Sequence, residues 1–172
     1  MRAKERFISI LGWSGSGKTS LLVEALRECS RRGIVASAAK CAHHDPDAAP
    51  AGKDSTLFQA AGARASLYIG ERGMARFQAA PEIRDRAFFD AQFPEEDLIF
   101  LEGLTIEGAL RVLTGGAART QTELKFPLDE IDVLVSDDEA LRAAALEAGA
   151  VALRPGDAAA LIDLAMEEQH GT

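Results

Sequence analysis

Short apolar runs alternate with amphipathic stretches along this chain. Arg6 to Leu11 is apolar after its first residue apart from Ser9, which reads as a buried strand. From Thr19 to Arg32 the apolar positions Leu21, Leu22, Ala25, Leu26 and Cys29 fall at helical spacing, and Gly33 is a natural terminator. Ile34 to Ala39 predicts a second strand, followed by a polar, proline-containing loop from Lys40 to Asp54 and a short helix over Ser55 to Ala61. Ser66 to Ile69 and Met74 to Gln78 flank Gly70-Glu71-Arg72-Gly73 and predict a hairpin. Pro81 to Phe89 predicts a helix with the proline near its first turn. Strands are then expected at Leu98 to Leu101, Ala109 to Leu113, Ile131 to Val135 and Val151 to Leu153, with a loose loop from Thr114 to Thr122. Asp138 to Ala148 and Asp157 to Gln169 read as the last two helices.

Strands alternating with helices, and a strand such as LIFL that is apolar on both faces, argue for a mostly parallel α/β sheet with an antiparallel hairpin inserted. At 172 residues the chain is expected to be one domain, 1–172. The hydrophobic share of 47% is enough for a core, although 32 alanines make much of it shallow. A net charge of −8 without any basic cluster argues against nucleic acid as a partner. The N-terminal apolar run is too short for a membrane span or a signal peptide. Two cysteines form no disulfide framework and fit a reducing compartment, so a cytoplasmic protein is expected.

The chemistry concentrates in Gly12-Trp13-Ser14-Gly15-Ser16-Gly17-Lys18-Thr19, a full match to G-x-x-x-x-G-K-[ST]. It lies where such a loop must lie, after a strand and at the start of a helix. The glycines let successive N–H groups turn toward phosphates, and the helix start adds its positive dipole end. Lys18 is expected to reach the β and γ phosphates and the Thr19 hydroxyl to ligand Mg²⁺. A chance Gly/Ser turn capping a helix is the plain alternative, which eight matching positions disfavour.

A phosphate loop calls for a second acidic group at another strand end. Asp97 opens the LIFL strand and Glu102 closes it, roughly 16 Å away. Only Glu102 falls on the ligand side if that strand runs parallel to the first. The loop holding His43, His44, Asp45, Asp47 and Asp54 leaves the same end of the sheet. Adjacent residues in extended chain point to opposite sides, so a zinc site on His43 and His44 is disfavoured. Asp45, Asp47 or Asp54 could approach Mg²⁺ or a water near the γ phosphate, but Asp45-Pro46 is equally a common turn start and Asp54 a natural helix cap.

Taken together, GWSGSGKTSLL, KCAHHDPDAAPAGKDS, the AGA at 61–63 and DLIFLEG at 97–103 resemble the MobB family of molybdopterin-guanine dinucleotide biosynthesis adaptors. The resemblance covers residues 6 to 103 and resumes at VLVSDD. After Glu102-Gly103 the family's aromatic, lysine and P-K-I segment is replaced by Leu104 to Val112. The resemblance implies a three-layer P-loop NTPase-like fold and a GTP-binding homodimer with at most slow hydrolysis. It further implies support of the guanylyltransferase that joins GMP to molybdopterin. Carried onto this chain, the nucleotide contacts are Gly15, Ser16, Gly17, Lys18, Thr19 and Ser20, joined by His44 and Asp45. Thr19 and Glu102 would attend Mg²⁺, and Lys18 and Asp54 the chemistry at the γ phosphate. No N-K-x-D guanine signature is present, so guanine preference follows from the resemblance alone. Two other readings remain: a small-molecule kinase with Arg72, Arg76, Arg84 and Arg86 as a phosphate lid, and a nucleotide-gated metal-insertion chaperone using His43 and His44.

Overall fold

The computed structural model describes residues 6–42, 57–58, 61–79 and 81–167. The chain divides into two compact units, Met1–Cys41 with Asp85–Thr172, and Ala42–Arg84.

The larger unit is built on a six-stranded sheet. Its strands are β1 (Phe7–Leu11), β2 (Ala36–Lys40), β5 (Leu98–Glu102), β6 (Leu110–Thr114), β7 (Val133–Val135) and β8 (Val151–Leu153). The spatial order is β2-β5-β1-β6-β7-β8, and every pairing is parallel. Helices α1 (Lys18–Arg32), α2 (Arg86–Gln92), α3 (Glu139–Glu147) and α4 (Ala158–Met166) cover it. Alternation along β1 divides the core. Ile8 and Ile10 join Leu22, Ala25 and Cys29 of α1 and Leu161, Ile162 and Ala165 of α4 on one face. Phe7 packs with Phe89 of α2, and Leu11 with Leu141 and Ala145 of α3, on the other. All five residues of β1 and of β5 are buried, as strands covered on both faces must be. This is the three-layer α/β arrangement with a mostly parallel sheet that the sequence implies.

The helix ends follow from local chemistry. Gly33 adopts φ 71°, and its N–H closes the end of α1 on the carbonyls of Cys29 and Ser30. Asp138 accepts from Leu141 N to start α3. Two expectations shift. The helix expected over Pro81 to Phe89 begins only at Arg86, because Asp85 is the residue whose side chain accepts from Phe88 N. The strand expected from Ile34 begins at Ala36, because Val35 N donates to the Asp97 carboxylate and not to a strand partner. The helix expected over Ser55 to Ala61 falls mostly outside the described residues, of which Leu57 and Phe58 are helical.

The smaller unit contains the hairpin β3 (Ala65–Ile69) and β4 (Met74–Gln78), antiparallel and closed by Gly70 N donating to Gly73 O at 2.8 Å. It carries exposed apolar side chains on Leu67, Tyr68, Ile69 and Met74. Among the described residues no helix is long and apolar enough to cross a membrane.

Candidate functional site

The carboxyl end of β1 runs straight into the segment Gly12 to Thr19. Gly12 sits at φ 143°, and a Cβ there would lie 2.5 Å from both Ser16 Oγ and Thr114 Oγ1, so no other residue fits. Gly15 and Gly17 also take positive φ, 75° and 93°. Gly17 caps α1 without a side chain, which leaves the first-turn N–H groups open to an anion. The loop is fastened to the sheet by Thr114 at the end of β6. Its hydroxyl shares a 2.6 Å hydrogen bond with Ser16 Oγ and lies 3.0 Å from Leu11 O as donor. Gly116 closes the same contact, since a Cβ there would stand 2.8 Å from Ser16 Cα.

Lys18 Nζ donates to the carbonyls of Gly12 at 3.1 Å and Trp13 at 2.6 Å, so the ammonium lies across the mouth of the loop. Burial lowers its pKa; Glu102 opposes that shift, while Lys125 and Lys40 add to it. Positive charge therefore gathers around the loop in a chain that is acidic overall, which is the field a polyphosphate requires. Thr19 and Glu102 come together across the sheet. Thr19 Oγ1 lies 3.1 Å and 3.0 Å from the two carboxylate oxygens, and Lys40 Nζ sits 3.3 Å from Oε1. Glu102 is 5% exposed and occupies the carboxyl end of β5, in register with Ile10 of β1. Asp97, at the opposite end, bonds Val35 N. Gly103, at φ 84°, brings the chain to within 2.7 Å of Cys41 O from its would-be Cβ, and Cys41 N donates to Glu102 O at 2.9 Å. The β2 end and the β5 end are thereby locked side by side.

The profile of molybdopterin guanine dinucleotide synthesis protein B, MobB, matches residues 7–137, well over half of the chain. The chain belongs to the MobB family. It is 31% identical over 130 residues to the molybdopterin-guanine dinucleotide biosynthesis adapter protein of Haemophilus influenzae, covering 74% of this chain and 70% of that one. The corresponding adapter protein of Escherichia coli K12 is 31% identical over 126 residues, 68% and 70% of the two chains. The fold superposes on a crystal structure of Bacillus subtilis MobB with a TM-score of 0.69 at 19% identity, covering 95% of this chain and 99% of that one.

Gly15, Ser16, Gly17, Lys18, Thr19 and Ser20 run from the glycine-rich loop into the start of α1, and Thr19 meets Glu102 at the carboxyl edge of the sheet. His43, His44, Asp45, Asp47, Gly52, Lys53, Asp54 and Ser55 lie outside the described residues. Among the described residues no three His, Cys, Asp or Glu side chains gather to hold a metal. Arg86 stacks 4.8 Å over the Phe7 ring and donates to Gly108 O, contacts that hold the start of α2 against the sheet. Sequence reasoning missed Thr114 and Lys125, and placed Lys40 in the loop facing the crevice without giving it a role of its own. Lys125 Nζ stands 5.7 Å from the Trp13 ring, whose Nε1 donates to Glu123 O at 3.0 Å. Lys40 opens the family motif K-x-x-H-H, and that was its one available signal; Thr114 and Lys125 carry none.

Proposed function

We propose that this chain is a GTP-binding adaptor of molybdopterin guanine dinucleotide synthesis, with Gly12 to Thr19 as its phosphate site. The observation that carries the reading is the joint arrangement of an open α1 start, Lys18 across the loop, and Thr19 hydrogen-bonded to a buried Glu102. Backbone N–H groups of Gly15, Ser16 and Gly17, with Thr19 and Ser20 at the helix start, take the phosphate oxygens. Lys18 leaves the Gly12 and Trp13 carbonyls and bridges to the β and γ phosphates.

The donor set suits Mg²⁺. A hydroxyl that gives its proton to Glu102 keeps lone pairs for a hard cation, and one carboxylate with phosphate oxygens and waters is the usual Mg²⁺ environment. Thr19 would hold the ion directly and Glu102 would orient its shell. Bound there, the ion would supply charge neutralisation between the β and γ phosphates. Lys40 on Glu102 Oε1 supplies a positive charge that the ion would replace or share. By the resemblance, His44 and Asp45 are nucleotide contacts and Asp54 takes part in the chemistry at the γ phosphate. At most slow hydrolysis is expected, as the family resemblance implies.

The protein acts in the cytoplasm as a single nucleotide-binding domain, in support of a molybdopterin guanylyltransferase. A homodimer is supported by the hairpin, where Ile69 and Met74 are 74% and 73% exposed. The test is reconstitution. Adding this protein with GTP and Mg²⁺ to a purified molybdopterin guanylyltransferase should raise the yield of guanine dinucleotide, and the Lys18→Ala protein should not. Phosphoryl transfer from ATP to a small acceptor, with no effect on guanylyl transfer, would favour the kinase reading instead.

A further inference from the structure

Beside the phosphate loop, within the same six-stranded unit, a cavity of about 170 Å³ opens outside the carboxyl ends of β6, β7 and β8. It shares Ser16 and Gly17 with the loop and Ser20 with α1. We infer that this cavity receives the nucleobase and that Asp137 selects guanine, an inference that rests on reading Gly12 to Thr19 as a nucleotide loop.

Position comes first. A nucleotide with its phosphates against Ser16 and Gly17 has its base one sugar away, and the cavity is the recess adjoining those two residues at the edge where α/β sheets take ligands. Shape comes next. Gly17, Gly116 and Gly156 present no side chain, and Leu21, Val135 and Pro155 supply apolar surface, so the walls suit a flat aromatic ring. Gly116 and Gly156 hold φ 60° and 94°, conformations that keep these positions free of a Cβ.

Chemistry decides the base. Asp137 and Asp138 follow Ser136 after β7, and they are used differently. Asp138 Oδ1 accepts Leu141 N at 2.9 Å as the cap of α3. Ser136 is fixed from both sides: its Oγ accepts Asp138 N at 3.1 Å, and its carbonyl accepts Arg142 Nη1 at 2.8 Å. The turn is thus held rigid while Asp137 lines the cavity with its side chain 64% exposed. Arg119 Nη1 contacts Oδ1 at 3.4 Å, a long contact that steadies the carboxylate and leaves acceptor lone pairs on both oxygens for a ligand. A carboxylate accepts two parallel hydrogen bonds, and guanine offers two donors on one edge, N1–H and N2–H₂. Adenine presents an acceptor and a bare C–H there. Glu24 also borders the cavity, on the α1 side.

The Asp137→Asn substitution tests this. Xanthine keeps N1–H but replaces the 2-amino group with a carbonyl, the complement of an amide. Affinities for GTP, XTP and ATP with Mg²⁺ should be measured for the wild-type protein and for Asp137→Asn and Glu24→Gln. Asp137→Asn should weaken GTP about tenfold to a hundredfold, the worth of a bidentate base contact, and strengthen XTP. A wild-type GTP-to-XTP ratio in Asp137→Asn, with GTP still bound tightly, overturns the assignment and leaves the phosphate loop standing. The same swap appearing in Glu24→Gln places the reader on α1 and overturns Asp137. Failure of the wild-type protein to bind any of the three triphosphates overturns both readings together.

Discussion

Replacing Thr114 with valine removes one hydroxyl and keeps the side-chain shape, and that hydroxyl is what fastens the phosphate loop to the sheet. Two hydrogen bonds are lost, the 2.6 Å contact with Ser16 Oγ and the 3.0 Å bond to Leu11 O. At about 0.5–1.5 kcal/mol each they sum to roughly 1–3 kcal/mol. The new methyl is buried, since Thr114 is 4% exposed, and returns up to about 0.8 kcal/mol. Ser16 is half-buried and can turn to water, so the net loss should be about 1–2 kcal/mol. For a chain of this size each kcal/mol corresponds to roughly 2–4 °C, so the melting temperature should fall by about 2–8 °C. The functional consequence is separate. On the proposed reading the Ser16 N–H, which donates to Trp13 O at 3.2 Å, turns to phosphate, and a freed Ser16 must be ordered again on binding. Thr114→Val should therefore weaken GTP more than its stability loss explains, whereas Thr114→Ser, which keeps the hydroxyl, should bind GTP like wild type. Scanning calorimetry and a GTP titration on both variants decide it. A Thr114→Val protein that melts and binds like wild type would refute the claim that this hydroxyl organises the loop.

Glu102→Gln should sharply reduce the Mg²⁺ dependence of nucleotide binding, because an amide is a poor ligand neighbour for a hard cation, while Asp97→Asn should leave it unchanged and act only on the β2 start. Titrating GTP at several Mg²⁺ concentrations checks both. Lys125→Ala should weaken GTP and flatten the salt dependence of binding, since this ammonium adds to the potential at Lys18; isotherms at two ionic strengths measure it. Hydrogen bonds first from Arg31 and then from Arg32 hold the Glu28 carboxyl down at about 2, from an ordinary 4.5. A depressed carboxyl stabilises the fold above its unfolded value and loses that contribution as pH falls through the folded one. The Glu28→Gln protein should therefore differ from wild type in melting above pH 4.5 and converge on it toward pH 2.

The parts of this fold that local chemistry dictates were readable in advance. Phe7 to Leu11, apolar but for Ser9, and Leu98 to Leu101 lack a polar–apolar alternation because helices cover both faces. Gly33 marks the end of α1 by its positive φ, and the phosphate loop is eight consecutive residues. Glu102 followed from direction alone, since a strand parallel to β1 has one ligand end. What escaped depends on contacts between distant residues. Thr114 meets Ser16 only because β6 lies next to β1, and the crossover that brings it there spans 98 positions. Asp137, Gly116 and Pro155 line one cavity through three strand ends that nothing local connects. The misplaced start of α2 has the opposite cause: Pro81 and Asp85 are both good starting residues, and the side-chain cap on Phe88 N decides between them.

On the proposed reading, Gly12 to Thr19 binds a guanine nucleotide through Lys18. Isothermal titration of GTP and of ATP, with and without Mg²⁺, into the wild-type and Lys18→Ala proteins measures it most directly. Binding should depend on Mg²⁺ and favour GTP over ATP, and a folded Lys18→Ala protein should bind GTP at least about tenfold more weakly, as loss of a charge-assisted phosphate contact requires. Equal GTP affinity in the wild-type and Lys18→Ala proteins, both folded, would contradict it.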